Sequence, residues 1–414
     1  MMNKKKSLLF VLILGFFASQ EILAQNNSLS SSPYSLSGLG ILNQVSTGKT
    51  NALGKAGIAM KSNTSINNLN PASYASIPLN SFFFDVGGKA QFNTFETAGT
   101  TENSSSANFS NISFAFPIND KSGVGLTLTP YSSVGYNIDG IETDIEGSNN
   151  SFSTLVEGTG GLKDLKLSYG YNILPNLSIG SYASVLFGKI QQTETNVINQ
   201  NLLVVEDENY YRGFKFGFGT QYELNEKLSF GAIVNLPVRL TGDQESTITQ
   251  LYADQIEVST ELDDFKLPLE VGFGVQTKLN ENLFAYADYK HSFWDETDQE
   301  DYIGKYTDQD FFGLGVEYIP NENSLKYWEH IEYRAGLSYD NGNILVNDEE
   351  TVDNYALSLG IGLPLRSTKN SMINISYSYG QKGKISNSLI KENYHLISVN
   401  LSFEGIWFVK RKLN

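Results

Sequence analysis

Tyr394-His-Leu-Ile-Ser-Val-Asn-Leu-Ser-Phe-Glu-Gly-Ile-Trp-Phe408 alternates at period two. Ile397, Val399, Leu401 and Phe403 point one way, while Ser398, Asn400, Ser402 and Glu404 point the other, because successive side chains of a strand leave opposite faces. An apolar face backed by a polar one is a wall of a β-barrel with lipid outside and water inside. The pattern recurs upstream. In Tyr355 to Leu363, the apolar set Tyr355, Leu357, Leu359, Ile361 and Leu363 is backed by Ala356, Ser358, Gly360 and Gly362. In Leu165 to Ile173 the inward set is Lys166, Ser168, Gly170 and Asn172. The expectation is an all-β fold: an antiparallel transmembrane β-barrel of about 14 strands.

The other end of the chain reads as an export signal. Lys4, Lys5 and Lys6 precede the apolar run Leu8 to Ala18, and Ala24 offers a cleavage point. Losing these lysines and Glu21 takes the formal net charge from −16 to −18. So acidic a chain argues against a nucleic-acid partner, since phosphate binding needs a basic surface. With no cysteine, a disulfide framework, a thiolate metal site and a lipoprotein anchor are excluded. After the leader no run approaches the roughly 18 apolar residues of a membrane helix, whereas 25 Phe, 23 Tyr and 37 Gly suit aromatic girdles and small inward-facing residues.

Three regions follow: a signal peptide over 1–24, a Ser-, Asn- and Gly-rich segment over 25–80, and the barrel over 81–414. Short turns at Pro117–Lys121, Leu174–Asn176, Leu224–Lys227, Leu279–Asn282, Ile319–Asn323 and Pro364–Asn370 carry the Asn, Pro and Asp of tight reversals. They pair strands near 107–117 with 121–137, 163–173 with 176–190, 210–224 with 226–240, 265–279 with 281–294, 306–319 with 328–340, and 353–364 with 370–382. Strands near 81–95 and 393–408 complete the count. Longer polar connections, such as Asp139–Gly161, Gln191–Asn209 and Gly242–Asp264, are expected on the opposite, extracellular rim, with Glu257–Asp264 either extending a strand or forming a loop hairpin. Both termini then fall on the periplasmic side of an outer membrane. Small inward residues leave room in the lumen, and segment 25–80 is the candidate to fill it.

Within that segment, Ser32-Pro-Tyr-Ser-Leu-Ser-Gly-Leu-Gly40, Asn51-Ala-Leu-Gly-Lys-Ala-Gly-Ile-Ala59 and Asn67-Asn-Leu-Asn-Pro-Ala-Ser-Tyr74 resemble the N-terminal hatch of FadL-type outer-membrane transporters. Phe265-Lys-Leu-Pro-Leu-Glu-Val-Gly-Phe-Gly274, with Leu279, Asp288 and Trp294, resembles a strand entry of the same family. Pro33-Tyr34, Glu157-Gly-Thr-Gly-Gly-Leu162 and the ending Trp407-Phe-Val-Lys-Arg-Lys412 look like the Bacteroidota branch of such barrels, although Val409 to Asn414 extends past the family's terminal aromatic. The resemblance implies hatch-gated diffusion of hydrophobic small molecules of the long-chain fatty acid type, with Asn70, Pro71 and Ala72 as hatch and gating residues. A competing expectation is a barrel that transports nothing and attaches to another outer-membrane protein in an assembly such as a type IX secretion complex.

The inward charges Lys166, Lys215, Arg334 and Glu404 need water or a partner in the lumen. Ion pairing with the hatch and the lumen wall is expected, with contact to an acidic ligand head group as the alternative. The acidic run Asp295-Glu-Thr-Asp-Gln-Glu-Asp301, with Asp308 and Asp310, lacks calcium-loop spacing and reads as a solvated loop. Glu157-Gly-Thr-Gly-Gly lacks the Gly-Lys-Ser/Thr of a phosphate loop. His291, His330 and His395 are scattered, and no nucleophile motif accompanies them, so neither a metal, a cofactor nor an enzyme activity is expected.

Overall fold

The computed structural model describes residues 32–406, apart from 63, 145–150, 199–200, 251–253, 302–303, 322–323, 348–349, 366–370 and 387–388. The leader read over 1–24, residues 25–31, Trp407 and the tail Val409 to Asn414 lie outside the described residues. Eighteen strand segments form one antiparallel sheet. One is a two-residue strand, Ile41–Leu42, of the N-terminal segment, and three wall strands are each broken in two, which leaves fourteen wall strands.

These are β1 (Ser81–Glu96), β2 (Thr101–Asn119), β3 (Ser122–Pro130 with Ser132–Asp144), β4 (Ser151–Leu174), β5 (Leu177–Ile198), β6 (Asn201–Asn225) and β7 (Leu228–Asn235 with Val238–Gln250). The circuit continues through β8 (Ile256–Leu267 with Glu270–Asn280), β9 (Leu283–Ser292), β10 (Gln309–Tyr318), β11 (Glu332–Asp340), β12 (Asn354–Pro364), β13 (Met372–Lys382) and β14 (Lys391–Ile406). A sixteen-pair ladder from Ser81↔Ile406 to Glu96↔Lys391 closes β1 on β14. The three breaks fall at Pro130, Pro237 and Pro268, since proline has no N–H to donate to the ladder.

The facing read from the sequence holds. Val399 is 46% exposed and its neighbour Asn400 1%. Outward Leu165, Leu167, Phe214, Phe216, Leu357 and Leu359 belong to an exposed apolar belt on the barrel's outer face.

Two expectations need correction. Asp139–Gly161, Gln191–Asn209 and Gly242–Asp264 are mostly strand, and Glu257–Asp264 extends β8. Both faces of these stretches are polar, so the alternation that marks a lipid-facing strand is missing although the ladder continues. On the other rim, the turn after Ile319 includes the 3-10 turn Tyr327–His330, so β11 begins at Glu332 and not at 328. Tyr306 belongs to a four-strand loop sheet of Glu300–Asp301, Gly304–Tyr306, Ile344–Val346 and Glu350–Thr351, and β10 begins at Gln309.

The wall is therefore uneven. β4, β5 and β6 have 24, 22 and 25 residues, while β9, β10 and β11 have 10, 10 and 9. At about 3.3 Å per residue and about 40° of tilt, β4 rises about 60 Å, far above the apolar band of about 25 Å that such barrels carry. The upper parts of β3 to β8 stand clear of that band as a six-stranded sheet.

Candidate functional site

Residues 32–80, apart from 63, run down the lumen, from Ser32 beside Gly135 and Glu392 at the upper end to Tyr74 beside Gly123 and Gly125 near the short-turn rim. In the lower half the backbone of this hatch lies directly on the wall. A Cβ on Gly315 would stand 2.6 Å from the Leu53 carbonyl oxygen, and one on Gly313 2.6 Å from that of Gly54. A Cβ on Gly180 would overlap Pro71, and one on Gly336 would overlap Gly54. Glycine is needed here because two backbones approach too closely for any side chain.

Polar wall side chains satisfy the hatch backbone at the same level. Asp288 Oδ2 on β9 accepts from the Gly57 and Ile58 amides at 2.6 and 2.8 Å. Gln221 Nε2 on β6 donates to the Ile58 and Met60 carbonyls. Asn70 is extended (φ −131°, ψ 120°), as a residue before proline must be. Its Oδ1 accepts from Ala72 N at 3.0 Å, capping the 3-10 turn Pro71–Ser76, while Nδ2 donates to the Ile58 carbonyl at 2.9 Å and the Thr220 carbonyl at 3.0 Å. Tyr74, whose burial pushes its hydroxyl up to about 12, donates to Asn68 Oδ1 at 2.6 Å. Beside this layer, Glu317 accepts from Arg334 Nε and Tyr286 OH, both at 2.8 Å, and pairs with hatch Lys49 at 3.4 Å.

The upper half is looser. Leu42, Asn43, Gln44 and Val45 form a partition that lines two cavities at once. One, of about 240 Å³, lies against β1, β2 and β12 to β14. Lys55, Lys89 and Lys382 line it with Glu392, Asp340 and the apolar Ile41, Leu42, Val45 and Val352. Lys89 Nζ donates to Asn43 Oδ1 at 2.9 Å, and Lys382 lies over the Tyr34 ring at 5.2 Å. Lys55, on a left-handed backbone (φ 62°), is lowered to about 8 by burial, partly offset by Asp340. The second cavity, of about 100 Å³, is bounded by Lys166, Lys215, Lys290, Glu270, Tyr131, Tyr182 and Trp294. Above it Leu39 packs with Val134, Leu162, Leu186, Leu240 and Trp294 in an apolar roof. The β2–β3 ladder stops at Ile112↔Leu128, and Ser106, Asn108 and Ser110 of β2 line the larger cavity with Thr129 and Pro130 of β3. The wall is thus unzipped next to that cavity.

The four inward charges separate into three settings. Lys166, 4.0 Å from Asp164 and over the Tyr182 ring, and Lys215, over the Tyr131 ring, border the smaller cavity. Arg334 joins the Glu317 cluster against the hatch. Glu404 accepts from Ser81 Oγ at 2.7 Å at the foot of the β14–β1 ladder. Asp288 and Lys55 entered the sequence reading only within motif matches, and Gln221, Glu317 and Lys89 not at all. Their single signal is an inward polar position on an alternating strand, or, for Lys55, a charge inside a Gly-rich segment. Beside the acidic loop, His291 of β9 lies 2.9 Å from Asp310 of β10 and 3.5 Å from Asp308.

A family model described as BamG matches residues 2–414. The chain belongs to the BamG family. No curated protein matches it. Among solved structures, this BamG-family chain is similar to the CymD monoaromatic hydrocarbon channel, with a TM-score of 0.61 and 15% identity over 87% of this chain and 98% of that one. The toluene transporter TbuX of Ralstonia pickettii gives 0.60 and 15% over 87% and 98%, and a FadL homologue of Pseudomonas aeruginosa gives 0.56 and 14% over 89% and 100%. The likeness places this BamG-family chain in the FadL-type barrel fold.

Proposed function

We propose that the barrel is an outer-membrane passage for hydrophobic small molecules with an acidic end, of the long-chain fatty acid type. One observation carries the reading. The larger lumen cavity combines three lysines with an apolar hatch surface, a lining that suits an acyl chain ending in a carboxylate. Of these lysines, Lys55 carries no hydrogen bond or ion pair among the described contacts of its ammonium group. The Leu42 to Val45 partition is the moving part, because it is held by few backbone contacts and divides two cavities that its displacement would join. Asn70, Pro71 and Ala72 anchor the hatch on which that movement depends. The seam above Ile112↔Leu128, where the wall is unzipped beside that cavity, is the way out. In this reading the short-turn rim, where β14 ends at Ile406, faces the periplasm.

The test is mass spectrometry of lipids that stay with the protein when it is purified from its native membrane in mild detergent, compared with Lys55→Ala. A stoichiometric fatty acid or related lipophile, depleted in the variant, supports the reading. An empty barrel that also takes up no added fatty acid sinks it.

A further inference from the structure

The projecting sheet has two edges, and they are treated differently. At the β3 edge the hatch strand pairs Ile41↔Ser133 and Leu42↔Ser132, and the Ser32 amide donates to the Gly135 carbonyl, so the base of that edge is covered. The upper part of β8, Ile256–Leu267, pairs only with β7, from Val238↔Leu267 to Ile248↔Ile256. Its would-be neighbour β9 ends at Ser292, level with Glu270. Among the described residues, nothing pairs with the outer backbone edge of 256–264.

An uncovered strand edge is a template for another strand. The side chains here select which. On one face Asp243 stands directly opposite Glu261, and Glu245 directly opposite Glu208. Like charges facing each other across a ladder are unfavourable. Cations answer only part of this: Lys189 pairs with Glu208 at 2.5 Å, and Arg212 lies 3.8 Å from Asp243. Glu245, Glu257 and Glu261 have no basic partner among the described contacts. Ile256 and Val258, 56% and 47% exposed, offer the apolar positions of the opposite face. A second copy of the chain would bring the same acids against this edge, so the charge that repels self-pairing admits a basic strand.

We infer that the upper β8 edge is a docking site for an extended basic segment of a partner polypeptide, added as a seventh strand to the projecting sheet. The main chain of 256–264 supplies the ladder, and Glu245, Glu257 and Glu261 receive the basic side chains. The site lies outside the lumen and is independent of any cargo.

The probe is a fluorescent eight-residue peptide of alternating Lys and Thr, titrated by anisotropy onto the full chain in detergent. The comparisons are an N-methylated analogue, which keeps the charge and loses alternate N–H donors, and an alternating Glu and Thr peptide. The expected result is saturable binding of the Lys peptide, at least tenfold weaker binding of both comparison peptides, and loss of binding in E257K/E261K. Unchanged heat-modifiable migration on gels and unchanged fatty acid uptake would show that variant to be folded and its lumen intact. Equal binding of the N-methylated peptide would reduce the edge to a charge patch, and no binding of the Lys peptide would remove the site; either overturns the inference. Spin labels on Thr260→Cys, clean in a chain without cysteine, test the rival occupant: dipolar coupling between two copies would assign the edge to self-association and overturn it too.

Discussion

The two halves of the hatch are the same kind of chain and are held in opposite ways. At Leu53 to Ala59 and at Pro71 to Tyr74 the backbone sits on wall glycines, and amides and carbonyls between Gly57 and Met60 are taken up by Asp288, Gln221 and Asn70. From Ile41 to Ser46 it is held by one two-residue strand and scattered side-chain contacts, with cavities on both sides. Backbone against backbone leaves no slack, because every shift breaks several buried hydrogen bonds at once. Side chains beside a cavity can change rotamer at little cost. The lower half is fixed against the wall, and the upper half has open space on both sides.

The severest way to break this contrast is to delete Asn26 to Ser76. Accumulation of large dyes or antibiotics by cells carrying the deletion should rise many-fold, and unchanged accumulation would mean that the hatch does not seal the lumen. Next in size, Gly336→Val puts a side chain where the Gly54 backbone lies and should unseat the lower hatch, while Gly99→Ala, with nothing within 4 Å, should not. Dye entry through assembled barrels reads the difference; equal permeability of the two would contradict a tight seat.

Asp288→Ala should cost about 1–3 kcal/mol, the penalty for leaving buried donors unmet. The urea midpoint of hatch release, followed by protease cleavage after Lys55 or Lys61, checks this. The smallest effect belongs to the loose half. With the ammonium of Lys55 held near 8, well below the usual lysine value, its charge is present below that pH and lost above it. Fatty acid affinity should therefore fall a few-fold as pH rises from 7 to 9, and Lys55→Ala should flatten the profile. An unchanged slope in the variant would assign the head group to Lys89 or Lys382.

Much of this was legible along the chain. Alternation gave the fourteen strands and their facing, since Ile397 to Phe403 and Tyr355 to Leu363 carry period two openly. The height of the wall was hidden at Asp139–Gly161 and Gly242–Asp264, where water on both faces removes the pattern that lipid imposes on one. Pro130, Pro237 and Pro268 stand at the breaks, but the alternation alone does not show them, because whether a strand resumes beyond a proline depends on a neighbour's ladder. Arg334 was recognised as inward and in need of a partner, while its partner Glu317, and Lys49 beyond it, lay out of reach of any local pattern.

What the sequence determined by itself is what lipid and water enforce residue by residue: an apolar outer band, a polar interior and tight reversals at one rim. Only the tertiary structure decided which inward groups meet the hatch, why Gly180 and Gly336 are glycines, where the cavities fall and which edge of the tall sheet stays unpaired. The physical reason is range. A strand's facing follows from alternating neighbours, whereas Asp288 with Gly57, or Asn70 with Thr220, joins residues 231 and 150 apart, contacts that exist only once the barrel closes around the segment that fills it.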